Sequence, residues 1–168
     1  MNGFLPKFVE IIKVYGVLGL AVISFAESSF FPIPPDVLLI PMAFMNRNLA
    51  LFYALITTVS SVLGGNFGYI IGRKLGKPIL KRFFKEDKIK KVEGYFAKYG
   101  GWSIAIAGFT PIPYKIFTIS AGAFNVRMFT LIMASTFGRG ARFFLEGFFI
   151  FFLGDTAKYY IQNYFEIF

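Results

Sequence analysis

Glu27-Ser28-Ser29-Phe30-Phe31-Pro32-Ile33-Pro34-Pro35-Asp36-Val37-Leu38-Leu39-Ile40-Pro41 is the stretch on which the reading of this chain turns. It sets two carboxylates and four prolines inside an apolar run, Gly16 to Asn46, that carries no other charge. A carboxylate placed in hydrocarbon is costly unless it faces a cavity or a partner, so Glu27 and Asp36 are read as functional groups. Pro32, Pro34 and Pro35 remove backbone donors and interrupt any helix between the two acids. Irregular backbone at membrane depth persists only where protein buries it or where it lines a water-filled space, so the stretch is expected to form one wall of an internal site.

The membrane assignment comes from composition. Of 168 residues, 56% are hydrophobic, 20% are aromatic, 24 are Phe and only 16% are charged. These values lie outside the range of soluble domains and give a single membrane domain over 1–168, all α-helical. The chain has no Cys and no His. That excludes thiolate chemistry and the commonest metal ligand, and leaves only carboxylates to carry protons near neutral pH, since desolvation favours the neutral acid. Glu27 and Asp36 have no ligand companions for a metal, there is no phosphate-binding Gly-rich loop, and no serine has a His to activate it. The chain therefore reads as a non-enzyme with no metal and no cofactor.

On either side of the opening stretch the arms are short. Gly16–Phe31 has 16 residues and Pro35–Met45 has 11, which reach about 24 and 16 Å as helix against a hydrocarbon core of about 30 Å. A re-entrant helical hairpin fits better than two full spans. Before it, Phe4, Phe8, Ile11, Ile12 and Tyr15 share a face opposite Lys7, Glu10 and Lys13, the pattern of an interfacial helix; a signal peptide is the lesser alternative, because cleavage after Ala26 would leave an equally apolar start. After it, Asn48–Gly72 gives 25 uncharged residues, a full transmembrane helix. Gly64, Gly68, Gly72 and Gly76 recur every fourth residue and make a smooth face for close helix approach.

A basic amphipathic segment, about 74–98, follows. With Arg73 it holds ten Lys/Arg against three acids, +7 of the net +9, interleaved with Leu80, Phe83, Phe84, Ile89, Val92, Tyr95 and Phe96. A short basic loop between membrane segments is explained by orientation toward the cytoplasm and by anionic headgroups, and this outweighs nucleic-acid binding. Tyr99–Val126 then repeats the broken pattern, with Lys115 as its only charge. Pro-Ile-Pro at 111–113 answers Pro-Ile-Pro at 32–34, and Ala123-Phe124 with Arg127 answers Ala43-Phe44 with Arg47. The chain thus reads as two inverted repeats, about 16–73 and 99–153, each a hairpin followed by a span, the form of a transporter with its site at the repeat interface. Residues 155–168 read as a separate aromatic interfacial helix.

Six charges are expected in the membrane: Glu27, Asp36, Lys115, Arg139, Arg142 and Glu146. Unpaired they would be expensive, so they should converge. Arg139 and Arg142 lie three apart on one helix face, and Arg142 can reach Glu146 one turn on. A surplus of Arg and Lys donors suits a phosphate; the competing explanation is that the charges are mutual glue for the fold.

Taken as a set, Glu27 followed by Phe-Pro-Ile-Pro-Pro-Asp-Val-Leu-Leu, Gly68-Tyr69 with Gly72-Arg73, Phe-Thr-Pro-Ile-Pro-Tyr-Lys at 109–115 with Ala121-Gly122, and Ser135 with Gly138-Arg139 and Arg142-Phe143 resemble the DedA family, whose relatives are called VTT-domain proteins. The form Pro111-Ile-Pro113-Tyr114-Lys115 looks like a distinct subgroup. The resemblance implies a multi-pass protein of the inner (cytoplasmic) membrane with two opposed re-entrant hairpins, acting in translocation of a lipid such as undecaprenyl phosphate or a phospholipid, as a flippase or scramblase coupled to protons. It also implies proton-coupling acids at Glu27 and Asp36 and basic residues at the second hairpin, here Lys115; where the family commonly has Arg before the Phe of the second motif, this chain has Gly108. Joined with the residue-level reading, this gives Lys115, Arg139 and Arg142 as lipid-phosphate-binding, with Pro32, Pro34, Pro35, Pro111, Pro113, Tyr114, Glu146, Gly68, Gly72 and Arg73 in support. The expected partners are phosphate-headed membrane lipids and protons and no nucleic acid, with a homo-oligomer left open. The alternatives are a lipid-binding scaffold for envelope assembly that transports nothing, and a proton-coupled ion antiporter.

Overall fold

Helical continuity is lost at Gly16, where only glycine adopts the conformation cheaply, and across the proline segments Pro32–Pro35 and Thr110–Pro113. A computed structural model describes residues 3–165, apart from the side chains of 4–6, 8, 9, 13, 157, 158 and 160–165. The expected contacts of Phe4, Phe8, Lys13, Tyr160, Tyr164, Phe165 and Phe168 lie outside the described residues. α1 runs Phe4–Ser29 and is broken at Gly16 (φ 40°, ψ −128°), a conformation that favours glycine. The break falls where the sequence separates an N-terminal helix from the first arm. α1 ends with the amides of Phe30 and Phe31 both donating to the Ala26 carbonyl, at 2.8 and 2.7 Å. The chain turns through the prolines and α2, Asp36–Met45, leads back.

A 3-10 turn at Arg47–Leu49 opens α3, Ala50–Leu75. Arg47–Leu75 is, among the described residues, the one helix both long and apolar enough to cross a bilayer. α3 continues past the expected Gly72 and is stopped by Gly76 at φ 66°. Gly76 is thus a helix end and not part of the smooth face. The basic segment forms two helices, α4 (Lys77–Phe83) and α5 (Glu86–Tyr99). Leu80, Ile89 and Val92 are buried against residues of the second broken unit, Ile119 for the first two and Ile116 and Phe117 for Val92. The apolar face of α5 is therefore spent at least partly on protein. α6 (Trp102–Phe109) and α7 (Tyr114–Ala123) form that second unit, and α8 follows as Met128–Phe165. Of the separate helix expected at 155–168, the described part, 155–165, is instead the continuation of α8. No proline interrupts these 38 residues, and a lone Gly154 costs a helix only about 1 kcal/mol.

The molecule is all-helical, with no strand among the described residues. Apolar helices in lipid gain little from being brought together, so their packing rests on close approach and on satisfied polar groups. α3 is central, against α1, α7 and α8. Gly64 lies so close to the first arm that a Cβ would fall on the Phe25 carbonyl, and Gly138 of α8 does the same to Ala105 of α6. In both units a glycine of a long helix meets the backbone of the arm before the prolines. Gly72 and Gly122 make the α3–α7 crossing, each against backbone of the other helix, and Gly68 fits between Ser28 and Thr118. The hydroxyls of Ser24, Ser29, Thr57 and Thr58 donate to the carbonyl four residues back, at 2.6 to 2.8 Å, which keeps them satisfied without water.

Gly72→Ala should lower the folded yield and the Tm, with overpacking of about 1–3 kcal/mol against a backbone that cannot yield. Gly94→Ala, in α5 where a Cβ meets nothing within 4 Å, should be neutral or raise the Tm slightly. Thermal unfolding of both variants in detergent checks the pair.

Candidate functional site

The buried charges meet where the two broken units come together over α8. Glu27 stands in the last turn of α1 and Asp36 in the first turn of α2, so the proline break holds them a short distance apart. Across from them, Arg139 and Arg142 project from neighbouring turns of α8. They do not act as one fork. Arg139 pairs with Glu27, and also donates to the Ser28 hydroxyl at 2.8 Å. Arg142 pairs with Asp36 and reaches Glu146 at 3.4 Å, with the Thr110 carbonyl at 3.5 Å from its Nη1.

The two arginines differ in environment. The Arg139 side chain is 2% exposed and that of Arg142 is 23% exposed. The guanidinium of Arg139 lies 4.3 Å from the Tyr114 ring centroid and 5.3 Å from that of Phe143, a cation over aromatic faces in a dry setting. Tyr114 is itself fixed by a hydrogen bond to Ser135. Burial leaves Arg139 Nε, Asp36 Oδ1 and Glu146 Oε2 without a hydrogen-bond partner. The pairings are thus incomplete at three atoms, and buried polar atoms of this kind carry a cost unless something else satisfies them.

Glu27, Asp36, Arg139 and Arg142 line a cavity of ≈ 880 Å³. Pro32, Pro34, Pro111 and Pro113 contribute to its walls, so both proline breaks border it. Lys115 lines it too, with its Nζ 3.4 Å from the Phe31 carbonyl. The remaining predicted residues have other places. Pro35 is buried at the start of α2; Gly68 and Gly72 serve helix packing; and Arg73, at the end of α3, donates to the Tyr69 hydroxyl at 3.0 Å, away from the cavity. Tyr69 in turn donates to the Val126 carbonyl at 2.6 Å and ties α3 to the turn before α8.

Sequence reasoning gave no role to Ser28, whose signal was only its place beside Glu27, or to Ser135, which entered only as part of the family motif and here holds Tyr114. It also missed Lys88 and Lys91 of α5, which line the same cavity. Gly108, where an Arg was the expected residue, packs on α8: a Cβ there would stand 3.2 Å from the Arg139 amide nitrogen and 3.4 Å from its Cγ. A side chain at 108 would therefore press on α8 at Arg139.

The VTT-domain model matches residues 33–152, most of the chain and all of the cavity except Glu27, Phe31 and Pro32. The chain belongs to the VTT-domain family. Among relatives of this DedA-type family, an uncharacterized protein of Haemophilus influenzae is 37% identical over 134 residues, 78% of this chain and 70% of that protein. An uncharacterized protein of Methanocaldococcus jannaschii is 31% identical over 73% of this chain and 76% of its own. An uncharacterized membrane protein of Bacillus subtilis is 30% identical over 61% of this chain and 68% of its own. No solved structure matches. The family and the membrane-protein relatives agree with the apolar composition, and the chain is a membrane protein of the VTT-domain family.

Proposed function

We propose that this VTT-domain protein moves a phosphate-headed lipid across the cytoplasmic membrane. In this reading the two helix–break–helix units are opposed re-entrant hairpins, α3 and α8 are the spans, and the two halves form inverted repeats. The observation that carries it is a cavity bordered by both proline breaks, in which both acids are held by arginines while Asp36 Oδ1 and Arg139 Nε remain without a hydrogen-bond partner. A phosphate offers the anionic oxygens that the guanidinium groups of Arg139 and Arg142 are shaped to accept. On arriving, it competes with Glu27 and Asp36 for them. The displaced acid, poorly solvated and without its cation, takes up a proton, so cargo and proton are bound together. A lipid-resolved mass spectrum of the purified protein should show phosphate-headed lipids enriched over their share of the membrane. Enrichment of uncharged lipids alone would contradict the reading.

Orientation follows from the charge of α4–α5, since short loops rich in Lys and Arg stay cytoplasmic. Arg47 at the start of α3 pairs with Asp155 on α8, which puts these two positions on the same side. Single cysteines at Lys88 and at Asn48 or Thr156 should therefore label from opposite sides of the membrane, with Lys88 inside. Labelling of Lys88 and Asn48 from one side would overturn the arrangement.

A further inference from the structure

Neither arginine is free to take an anion in the state observed, for each is bonded to its carboxylate. The cations that line the cavity without a carboxylate partner, among the described residues, are Lys88, Lys91 and Lys115. Building on the proposed function, we propose that these three lysines form a separate subsite for a phosphate group, an antechamber of the same cavity that is filled before either arginine lets go of its acid.

The geometry of α5 supports it. Lys88, Lys91, Tyr95 and Lys98 follow one another at helical spacings of three, four and three residues and share one face. Lys88, Lys91 and Tyr95 border the cavity, and Lys91, Tyr95 and Lys98 border a shallower depression beside it, so the stripe is continuous along α5. The neighbouring face, with Ile89 and Val92, is buried, and this fixes how α5 is turned. The acids of α5, Glu86, Asp87 and Glu93, make no ion pair with the stripe among the described residues.

The chemistry of the three lysines differs from that of the arginines in a useful way. An ammonium on a flexible stem is a point charge that follows a phosphate without demanding one orientation. It can hold a headgroup loosely and release it. Phe31, Phe83 and Phe84 add apolar wall to the same space, suited to the first carbons of a lipid chain. The next acceptor is Arg142, the more exposed of the pair and the one that keeps a second acid, Glu146, when Asp36 is displaced. Arg139 would remain closed on Glu27 at this stage.

The test is binding to the purified full-length chain in uncharged detergent, by calorimetry, with dodecyl phosphate and inorganic phosphate as separate probes. Lys88→Gln/Lys91→Gln should weaken dodecyl phosphate about fivefold to thirtyfold, from two partly screened ion pairs, and Lys88→Arg/Lys91→Arg should restore it. Lys85→Gln/Lys90→Gln removes the same charge from exposed positions that do not line the cavity, and should change affinity by less than about twofold at physiological salt. Unchanged affinity in the first variant, equal weakening in the control, or failure of Arg to rescue would each overturn the subsite. Weakening confined to dodecyl phosphate would identify a lipid headgroup site, and equal weakening of both probes a site for phosphate as such. Because lipid movement is not read here, intact translocation in vesicles beside unchanged binding would overturn only the subsite. A lysine-dependent affinity in a protein that moves no lipid would overturn only translocation.

Discussion

Glu27→Gln is expected to cost about 3–5 kcal/mol of folding free energy, the penalty for leaving a buried charge without its partner. The charge left behind is Arg139, 2% exposed and enclosed by Tyr114 and Phe143. Ser28 would keep one hydrogen bond to it but supplies no negative charge. Asp36→Asn should be far milder, on the order of 1 kcal/mol. Its partner Arg142 is partly exposed and still has Glu146. Glu27 and Asp36 look alike in the sequence, and the structure separates them: among the described residues Glu27 faces a buried arginine that has no second acid, while Asp36 shares a partly exposed arginine with Glu146. Thermal unfolding of both variants in the same detergent checks this, and equal losses would show that the two pairs are equivalent. Asp36→Asn/Glu146→Gln should then lose much more than the sum of its singles, because only the double variant strips Arg142 of both acids.

Arg142→Lys is expected to leave the protein folded and to slow movement of a phosphate-headed lipid by about tenfold or more, the scale of losing one charge-assisted hydrogen bond of a bidentate pair. Lysine keeps the charge, so Asp36 and Glu146 remain compensated. It cannot present two parallel donors. Arg139→Lys should slow movement as well, but with a lower Tm, since the ammonium forfeits the planar stacking on Tyr114. Initial rates in proteoliposomes, normalised to folded protein, separate the two effects. Wild-type rates in both variants would remove planar recognition from the mechanism.

Much of this architecture was legible because the relevant costs are local. The clustered prolines at 32, 34, 35 and at 111, 113 break the helices there, although the single Pro41 is carried inside α2, and charges in apolar runs must find partners. That Glu27, Asp36, Arg139, Arg142 and Glu146 would gather could therefore be argued from the sequence. Which acid takes which arginine could not, because the pairing depends on how deeply α1 sinks onto Gly64 and α6 onto Gly138. The place of α5 was hidden for another reason. A basic amphipathic helix fits a lipid surface and a protein groove equally well, and only tertiary packing shows Val92 buried with Ile116 and Phe117, and its lysines bordering the cavity. The C-terminal end of α8 was misplaced because Gly154 and Asp155 look like a boundary. Instead Gly154 is buried against the Arg47 side chain, and Asp155 pairs with Arg47.

If the cavity carries a phosphate-headed lipid between leaflets and couples this to a proton, as proposed, movement of the lipid should respond to a pH gradient. The most direct measurement is the transfer of a headgroup-labelled phosphate lipid between the leaflets of proteoliposomes, with and without an imposed pH gradient, for the wild type beside Asp36→Asn. Transfer should exceed that of protein-free vesicles, run faster when the gradient supplies protons from the side of the cargo, and be insensitive to the gradient in Asp36→Asn. Lipid that binds the wild-type protein and yet stays in its own leaflet, whatever the gradient, would contradict the proposal and leave a lipid-binding scaffold in its place.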